Sequence, residues 1–321
     1  MASNHQFFYT LKPIIPRPLQ IFLRQLRAKR LRKKFAYTWP IDSNSAYAPT
    51  NWPGWPDNKK FAFVLTHDVD TKRGLELTMQ LATLEREIGV RSVFNFIPED
   101  RYKINSQIRM DLKRMGFDVG VHGLKHDGKL FNSLQEFEKR APLINHYLKD
   151  WGVAGFSSPS MHHNLNWMHK LNIEYSTSTF DTDPFEPQPD SIGTIFPLVL
   201  YNSANKSSFV EIPLTMVQDF TLFIILKEKT LQIWEQKINW IAEHGGMVVL
   251  NTHPDYMNFG DNPRGQEEYP VEFYLNIIRY VQEKFRGLYW QALPSDVAQH
   301  CKLFFSEPAN RSELSKISNF K

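Results

Sequence analysis

The chain of 321 residues carries 38 Lys and Arg against 34 Asp and Glu, a formal net charge of +4, with 42% hydrophobic residues. That is enough length and apolar content for one large α/β domain with a buried core, and too much for extended disorder. The single cysteine, Cys301, excludes an internal disulfide and disfavours thiolate ligation, so a metal here would be held by His and carboxylate.

The positive charge is local. Residues 1–41 hold nine Lys/Arg and no acid, and the 29 basic residues that remain face 34 acids, which leaves a body of net −5. Within this leader Leu19, Phe22, Leu23 and Leu26 fall at i, i+3, i+4 and i+7, which predicts a helix with one apolar stripe and a dense basic face. Such a helix either packs its stripe on the main domain or makes peripheral contact with an anionic membrane through residues 17–35. Nucleic acid is not an expected partner, because the body is acidic and shows no recognition motif. No apolar run reaches membrane-span length and the amino terminus lacks a secretory pattern, so the expected location is the cytoplasm, with the inner face of the membrane as the peripheral site. A Pro-, Asn-, Ser- and Trp-rich linker from Trp39 to Lys60 sets the division: a basic extension and linker over 1–58, a main domain over 59–302 and a tail over 303–321.

Beyond the linker, strands are predicted at about 61–66, 91–97, 117–122, 153–157, 173–179, 209–212, 246–252 and 288–292. Helices are predicted over Thr78 to Ile88, Ser133 to Lys149, Leu231 to Glu243 and Val271 to Phe285. The alternation points to a parallel sheet or barrel, with an irregular insertion from Pro184 to Pro213.

Three of these strands end in side chains capable of chemistry. Phe61 to Thr66 is an apolar run followed by His67-Asp68-Val69-Asp70. Buried carboxylates need a partner or a metal, although an Asp at this point could also cap the following helix. Phe117 to Val121 is followed by His122 and then His126, a spacing that puts both imidazoles on one face if the segment turns helically. Gly246 to Thr252 ends at His253. Polar groups at the carboxyl ends of strands in βα architectures gather into one site.

In order and spacing these elements resemble the polysaccharide deacetylase superfamily, carbohydrate esterase family 4, with its NodB homology domain, over about residues 60 to 300. The residues that carry the resemblance are Thr66-His67-Asp68-Val69-Asp70, His122-Gly123-Leu124-Lys125-His126 and Leu250-Asn251-Thr252-His253. It implies a distorted (β/α) barrel of about seven parallel strands holding one divalent ion, Zn²⁺ foremost and Co²⁺, Ni²⁺ or Mn²⁺ as alternatives. It also implies hydrolysis of the N-acetyl amide of a sugar in a surface or exopolysaccharide or its precursor. On that basis Asp70, His122 and His126 are the expected metal ligands, Asp68 the base and His253 the acid, with the reverse assignment of the two aspartates open. Asp181 or Asp183 is expected to hold His253 in its charged form, Asp183 having an Asx turn before Pro184 as its other reading. Tyr256, with Phe185 and Trp290, is a candidate for stacking on sugar.

Two departures from the family pattern matter. Val69 stands where the family places its second Asp, and Ser157, in Gly155-Phe156-Ser157-Ser158-Pro159, stands where it places an arginine that orients the base. Losing a bidentate cation leaves Asp68 in need of another partner, Lys125 or Arg101 being the nearby basic residues in sequence. An alternative function follows, a catalytically impaired carbohydrate-binding or polysaccharide-assembly protein that keeps fold and metal.

Overall fold

The computed structural model describes residues 15–50, 52–186, 188, 190–260 and 265–306. Its centre is a curled, largely parallel sheet whose middle strand, β1 (Phe61–Val69), is buried along its whole length. On one side β1 pairs with β8 (Met247–Thr252). On the other it pairs first with β9 (Tyr289–Ala292) and then with β2 (Val93–Phe96). From β2 the order continues through β3 (Asp118–His122), β4 (Gly155–Ser157), β5 (Tyr175–Ser176), β7 (Ser207–Glu211) and β6 (Leu198–Asn202). All pairs are parallel except β6 with β7. Residues that follow β7 bridge the gap back to β8: Thr215 and Met216 donate their amides to Val249 O at 3.3 and 3.2 Å. The sheet therefore curls towards a barrel, as the alternation of strands and helices predicts.

Helices cover the outside: α1 (Arg17–Lys34), α2 (Lys72–Glu87), α3 (Ser106–Arg114), α4 (Leu134–Trp151), α5 (Leu165–Met168), α6 (Gln232–His244), α7 (Val271–Lys284) and α8 (Pro294–Ser306). The four predicted helices are present as α2, α4, α6 and α7; α3, α5 and α8 were not expected. The segment expected to be irregular contains β6, which closes an antiparallel hairpin with β7. Strand β5 is shorter than predicted because the chain beyond Ser176 turns to the Glu211 carboxylate instead of continuing the ladder: Ser178 N and Thr179 Oγ1 donate to Glu211 Oε1 at 2.9 and 2.8 Å. The tail expected from 303 begins inside α8, and its residues past Ser306 lie outside those described.

Strand alternation sends β1 side chains to two environments. Asp68 reaches inward to Asn95, Ser157 and Asn251. His67 points to the helix layer, where its Nδ1 lies 2.9 Å from Thr252 Oγ1 and its Nε2 3.0 Å from Glu85 Oε1. Glu85 also accepts from Ser92 Oγ at 2.7 Å and from the Tyr274 hydroxyl. His67 is thus a structural member of the tetrad, its polarity satisfied within a wholly buried network.

Helix α1 lies against the domain through Gln20, Ile21 and Ala28, the buried members of the helix. Gln25 Nε2 donates to Ile224 O at 3.0 Å, Arg27 Nη1 to Phe185 O at 3.1 Å, and Arg17 and Arg32 pair with Glu267 and Glu228. The predicted stripe of Leu19, Phe22, Leu23 and Leu26 is not the packing face; all four are exposed.

Candidate active site

At the carboxyl ends of β1, β3 and β8 lies a cavity of about 1250 Å³. Asp68, Asp70, His122, His126, His253 and Tyr256 all line it, so the three motifs converge as their positions at strand ends require.

Asp70, His122 and His126 bring one ligand atom each to within 4.8 Å of one another. Asp70 Oδ1 lies 3.3 Å from His122 Nε2 and 3.4 Å from His126 Nε2, yet this buried oxygen has no hydrogen-bond partner. An orphaned buried carboxylate oxygen facing two imidazole nitrogens is the arrangement a divalent cation completes, and the set of one carboxylate and two imidazoles suits a zinc-like ion. Electrostatics agree. Burial works to raise the Asp70 carboxyl, but the field of His126 and the close His122 and His126 rings outweigh it and hold the group well below the usual carboxylate range. Burial likewise disfavours charge on His122, but the Asp68 and Asp70 carboxylates prevail and raise it.

Neither aspartate caps the helix. Thr71 does so, its hydroxyl accepting from Gly74 N, while Asp70 N and Thr71 Oγ1 both donate to Asp255, at 3.1 and 2.5 Å. Burial first, and then the field of Asp70, push the Asp255 carboxyl up to about 6. The two histidines are not on a helix either. After His122 the chain turns at Gly123, whose φ is +62° and whose absent Cβ would lie 2.6 Å from Pro159 Cγ, so both the backbone angle and the close approach require glycine. His126 is fixed by the next residues: the Arg140 guanidinium forks onto the Asp127 carboxylate with two bonds of 2.9 Å, and Arg101 Nη2 donates to His126 O at 3.1 Å.

Among the described residues Asp68 has three hydrogen-bond donors, two amides and a hydroxyl. Asn95 Nδ2 and Ser157 Oγ reach its Oδ1, both at 2.9 Å, and Asn251 Nδ2 reaches its Oδ2 at 3.0 Å. Neither basic residue expected from the sequence takes the missing arginine's place: Lys125 faces Glu99 at 3.5 Å, and Arg101 is turned to the His126 carbonyl. Since Ser157 Oγ donates to Asp68, it accepts from His122 Nδ1 at 3.1 Å. That puts a proton on Nδ1, so in the neutral ring it is Nε2 that carries the lone pair, on the side of Asp70. Asn95 is the polar residue in the centre of an apolar strand, flanked by Phe94 and Phe96, a signal readable in the sequence. Its Oδ1 occupies the space above Gly120, 2.1 Å from where a Cβ would stand.

His253 is held by Asp219. The ring Nδ1 donates to Asp219 Oδ1 at 2.7 Å, the His253 amide to Oδ2 at 2.8 Å, and the Tyr269 hydroxyl to Oδ2 at 3.0 Å. Burial disfavours the charged ring, but the field and hydrogen bond of Asp219, joined by Asp70 and Asp68, raise it to about 10. The residues expected in this role are elsewhere. Asp181 is buried in an ion pair with Lys237 at 2.5 Å, and Asp183 Oδ1 accepts from Phe185 N at 2.8 Å, the Asx turn that was its other reading. Asp219 opens a buried π-helical turn, Phe220–Ile225, and no sequence pattern marks it. Tyr256 packs on Phe220 and on His253, with ring centroids 4.7 and 5.3 Å apart, and Phe185 also lines the cavity. Trp290 does not; it packs against Trp55 and His300.

No family model matches the sequence, and no curated protein does. Among solved structures, a Mycobacterium smegmatis protein described as a polysaccharide deacetylase superposes with a TM-score of 0.60 at 17% identity, covering 80% of this chain and 94% of that one. A peptidoglycan deacetylase from Bacillus subtilis gives 0.46 at 12% identity over 80% and 98% of the two chains. A CE4-family pseudoenzyme from Bacillus anthracis gives 0.45 at 13% over 76% and 66%. At these identities the likeness is one of fold, and the chain has the NodB-like fold of the polysaccharide deacetylases.

Proposed function

We propose that the protein is a divergent polysaccharide deacetylase, a metal-dependent hydrolase that removes the acetyl group from an N-acetylated sugar of a surface or exopolysaccharide or its precursor. The observation that carries this reading is the placement of Asp68 and the Asp219-held His253 in the same cavity as the Asp70, His122 and His126 cluster. Asp70 and the two histidines would hold the ion, zinc fitting the donor set best and Co²⁺, Ni²⁺ or Mn²⁺ being accommodated by it. When bound, such an ion polarises the acyl oxygen and makes a nearby water more acidic.

The chain's own groups divide the proton transfers. Asp68, fixed in orientation by Asn95, Ser157 and Asn251, takes the proton of the attacking water as the C–O bond forms. His253, kept charged by Asp219, delivers a proton to the departing nitrogen as the C–N bond breaks, so that acetate and an amino sugar leave without an amide anion. Tyr256 and Phe185 offer ring faces to the sugar. The reading is tested by acetate release from a panel of N-acetylated glycans with zinc-loaded protein and its Asp68→Asn variant. Release by the wild type and none by the variant supports it; no release on any glycan counts against it.

One observation favours a second reading, a carbohydrate-binding protein with impaired turnover: among the described residues no guanidinium reaches Asp68, whose donors are two amides and a hydroxyl. In that case glycan affinity persists unchanged in the Asp68→Asn protein while acetate release is absent from both.

A further inference from the structure

We infer that α1 is an interfacial helix that docks the rim of the cavity onto an anionic lipid bilayer. The helix has two faces with different tasks. Its inner face packs on the domain through Ile21 and Ala28, and it walls the cavity with Arg17, Arg24 and Arg27. On its outer face Leu19, Phe22, Leu23 and Leu26 are 47, 52, 45 and 43% exposed, and within the described residues nothing covers them.

Such a stripe is unfavourable in water unless something apolar receives it. Its surroundings select the occupant. Lys29, Arg30 and Lys33 continue the same face one to two turns on, all exposed, and among the described residues none is within ion-pair distance of a carboxylate. A face with leucines and phenylalanine at one end and unpaired cations at the other fits the boundary between acyl chains and anionic headgroups, where the long basic side chains also cover apolar surface with their stems. A second copy of the chain fits less well, since a two-fold contact through this face would press the cations either onto the partner's apolar end or against the partner's cations. The helix is too polar to cross a membrane, and none of the described helices is long and apolar enough to do so. It lies on the surface, and because Leu23 belongs to both the outer face and the cavity wall, the cavity mouth sits at headgroup level.

Sedimentation of the full chain with vesicles tests this independently of any hydrolytic activity. Vesicles of phosphatidylcholine with one-third phosphatidylglycerol should bind the protein, with affinity falling as salt rises, and pure phosphatidylcholine should bind it at least about tenfold more weakly. Phe22→Ser with Leu26→Ser, and separately Lys29→Glu with Lys33→Glu, should each weaken binding to the mixed vesicles by about tenfold or more. These side chains point to solvent, so an unchanged circular dichroism spectrum and melting temperature should accompany the loss. Absence of binding to the mixed vesicles overturns the inference. So does binding that both double variants retain, or a concentration-dependent dimer that the Phe22→Ser, Leu26→Ser protein no longer forms.

Discussion

Asp219 grips His253 twice, through the ring Nδ1 at 2.7 Å and through the backbone amide at 2.8 Å. The same carboxylate therefore sets both the position of the residue and the charge of its ring. Asp219→Asn keeps the shape but removes the charge, so the His253 pKa should fall from about 10 towards the ordinary imidazole range. NMR titration of the metal-free proteins reads that shift directly. Acetate release should drop by roughly 100-fold at neutral pH, whereas Asp181→Asn should leave the alkaline limb of the rate profile where it is.

The same interaction makes stability depend on pH. A folded-state value above the ordinary one means that protonated His253 stabilises the fold; this contribution is complete below about pH 6.5 and disappears as pH rises through about 10. Metal-free wild-type protein should thus lose melting temperature more steeply between roughly pH 7 and 10 than Asp219→Asn does. Parallel slopes in scanning calorimetry would contradict the assignment.

Ligand and base should separate in metal binding. Asp70→Asn removes the negative charge from the oxygen that faces the imidazoles and should weaken zinc affinity by roughly 100-fold or more, whereas Asp68→Asn should still bind zinc. Isothermal titration distinguishes the two. Ser157→Ala, which removes the acceptor for the His122 Nδ1 proton, should cost about tenfold in affinity.

Removing the ion should destabilise the protein, because Asp70 and its neighbours then remain as an uncompensated buried centre. At zinc about 100 times its Kd the added stability is about 2.7 kcal/mol, which corresponds to a rise of roughly 4 °C in Tm for a chain of this length. The gain should shrink as pH falls, since His122, whose charged form the Asp68 and Asp70 carboxylates favour against burial, must be neutral to bind.

Gly120→Ala tests the support of Asp68 at a distance from the chemistry. A methyl group there would meet Asn95 Oδ1 at 2.1 Å, so Asn95 must swing away and release its hydrogen bond to Asp68. We expect a loss of about 1–3 kcal/mol in stability and a fall in kcat with little change in zinc affinity. A second substitution, Asn95→Ala, should then add almost nothing further.

The grouping of Asp70, His122 and His126 was legible in the sequence because two strands, β1 and β3, end beside it and a third, β8, brings His253 to the same cavity; strand ends in βα architectures have one destination. The partner of His253 was not. Asp181 and Asp183 stood conspicuously past a strand, but burial beside Lys237 and a local turn at Phe185 claimed them, while Asp219 came from a segment whose pattern is merely apolar. The four-residue histidine spacing does mean proximity, but not through the helical turn on which that reading was conditional: Gly123 achieves it with a positive φ. The leader's apolar periodicity identified α1, but periodicity records that a face exists and not which way it is turned: Gln20, Ile21 and Ala28 pack inward, and the leucine stripe is outermost.

Strand β1 serves two masters on opposite sides: Asp68 faces the sheet's interior, and His67 faces Glu85 and Tyr274 in the helix layer. Its length is therefore a stricter constraint than its composition. Deleting one residue before Thr66 would exchange the two sides, driving an imidazole into the cavity and a carboxylate against Glu85. Lineages carrying this site should accept many replacements along that strand and hardly ever an insertion or a gap.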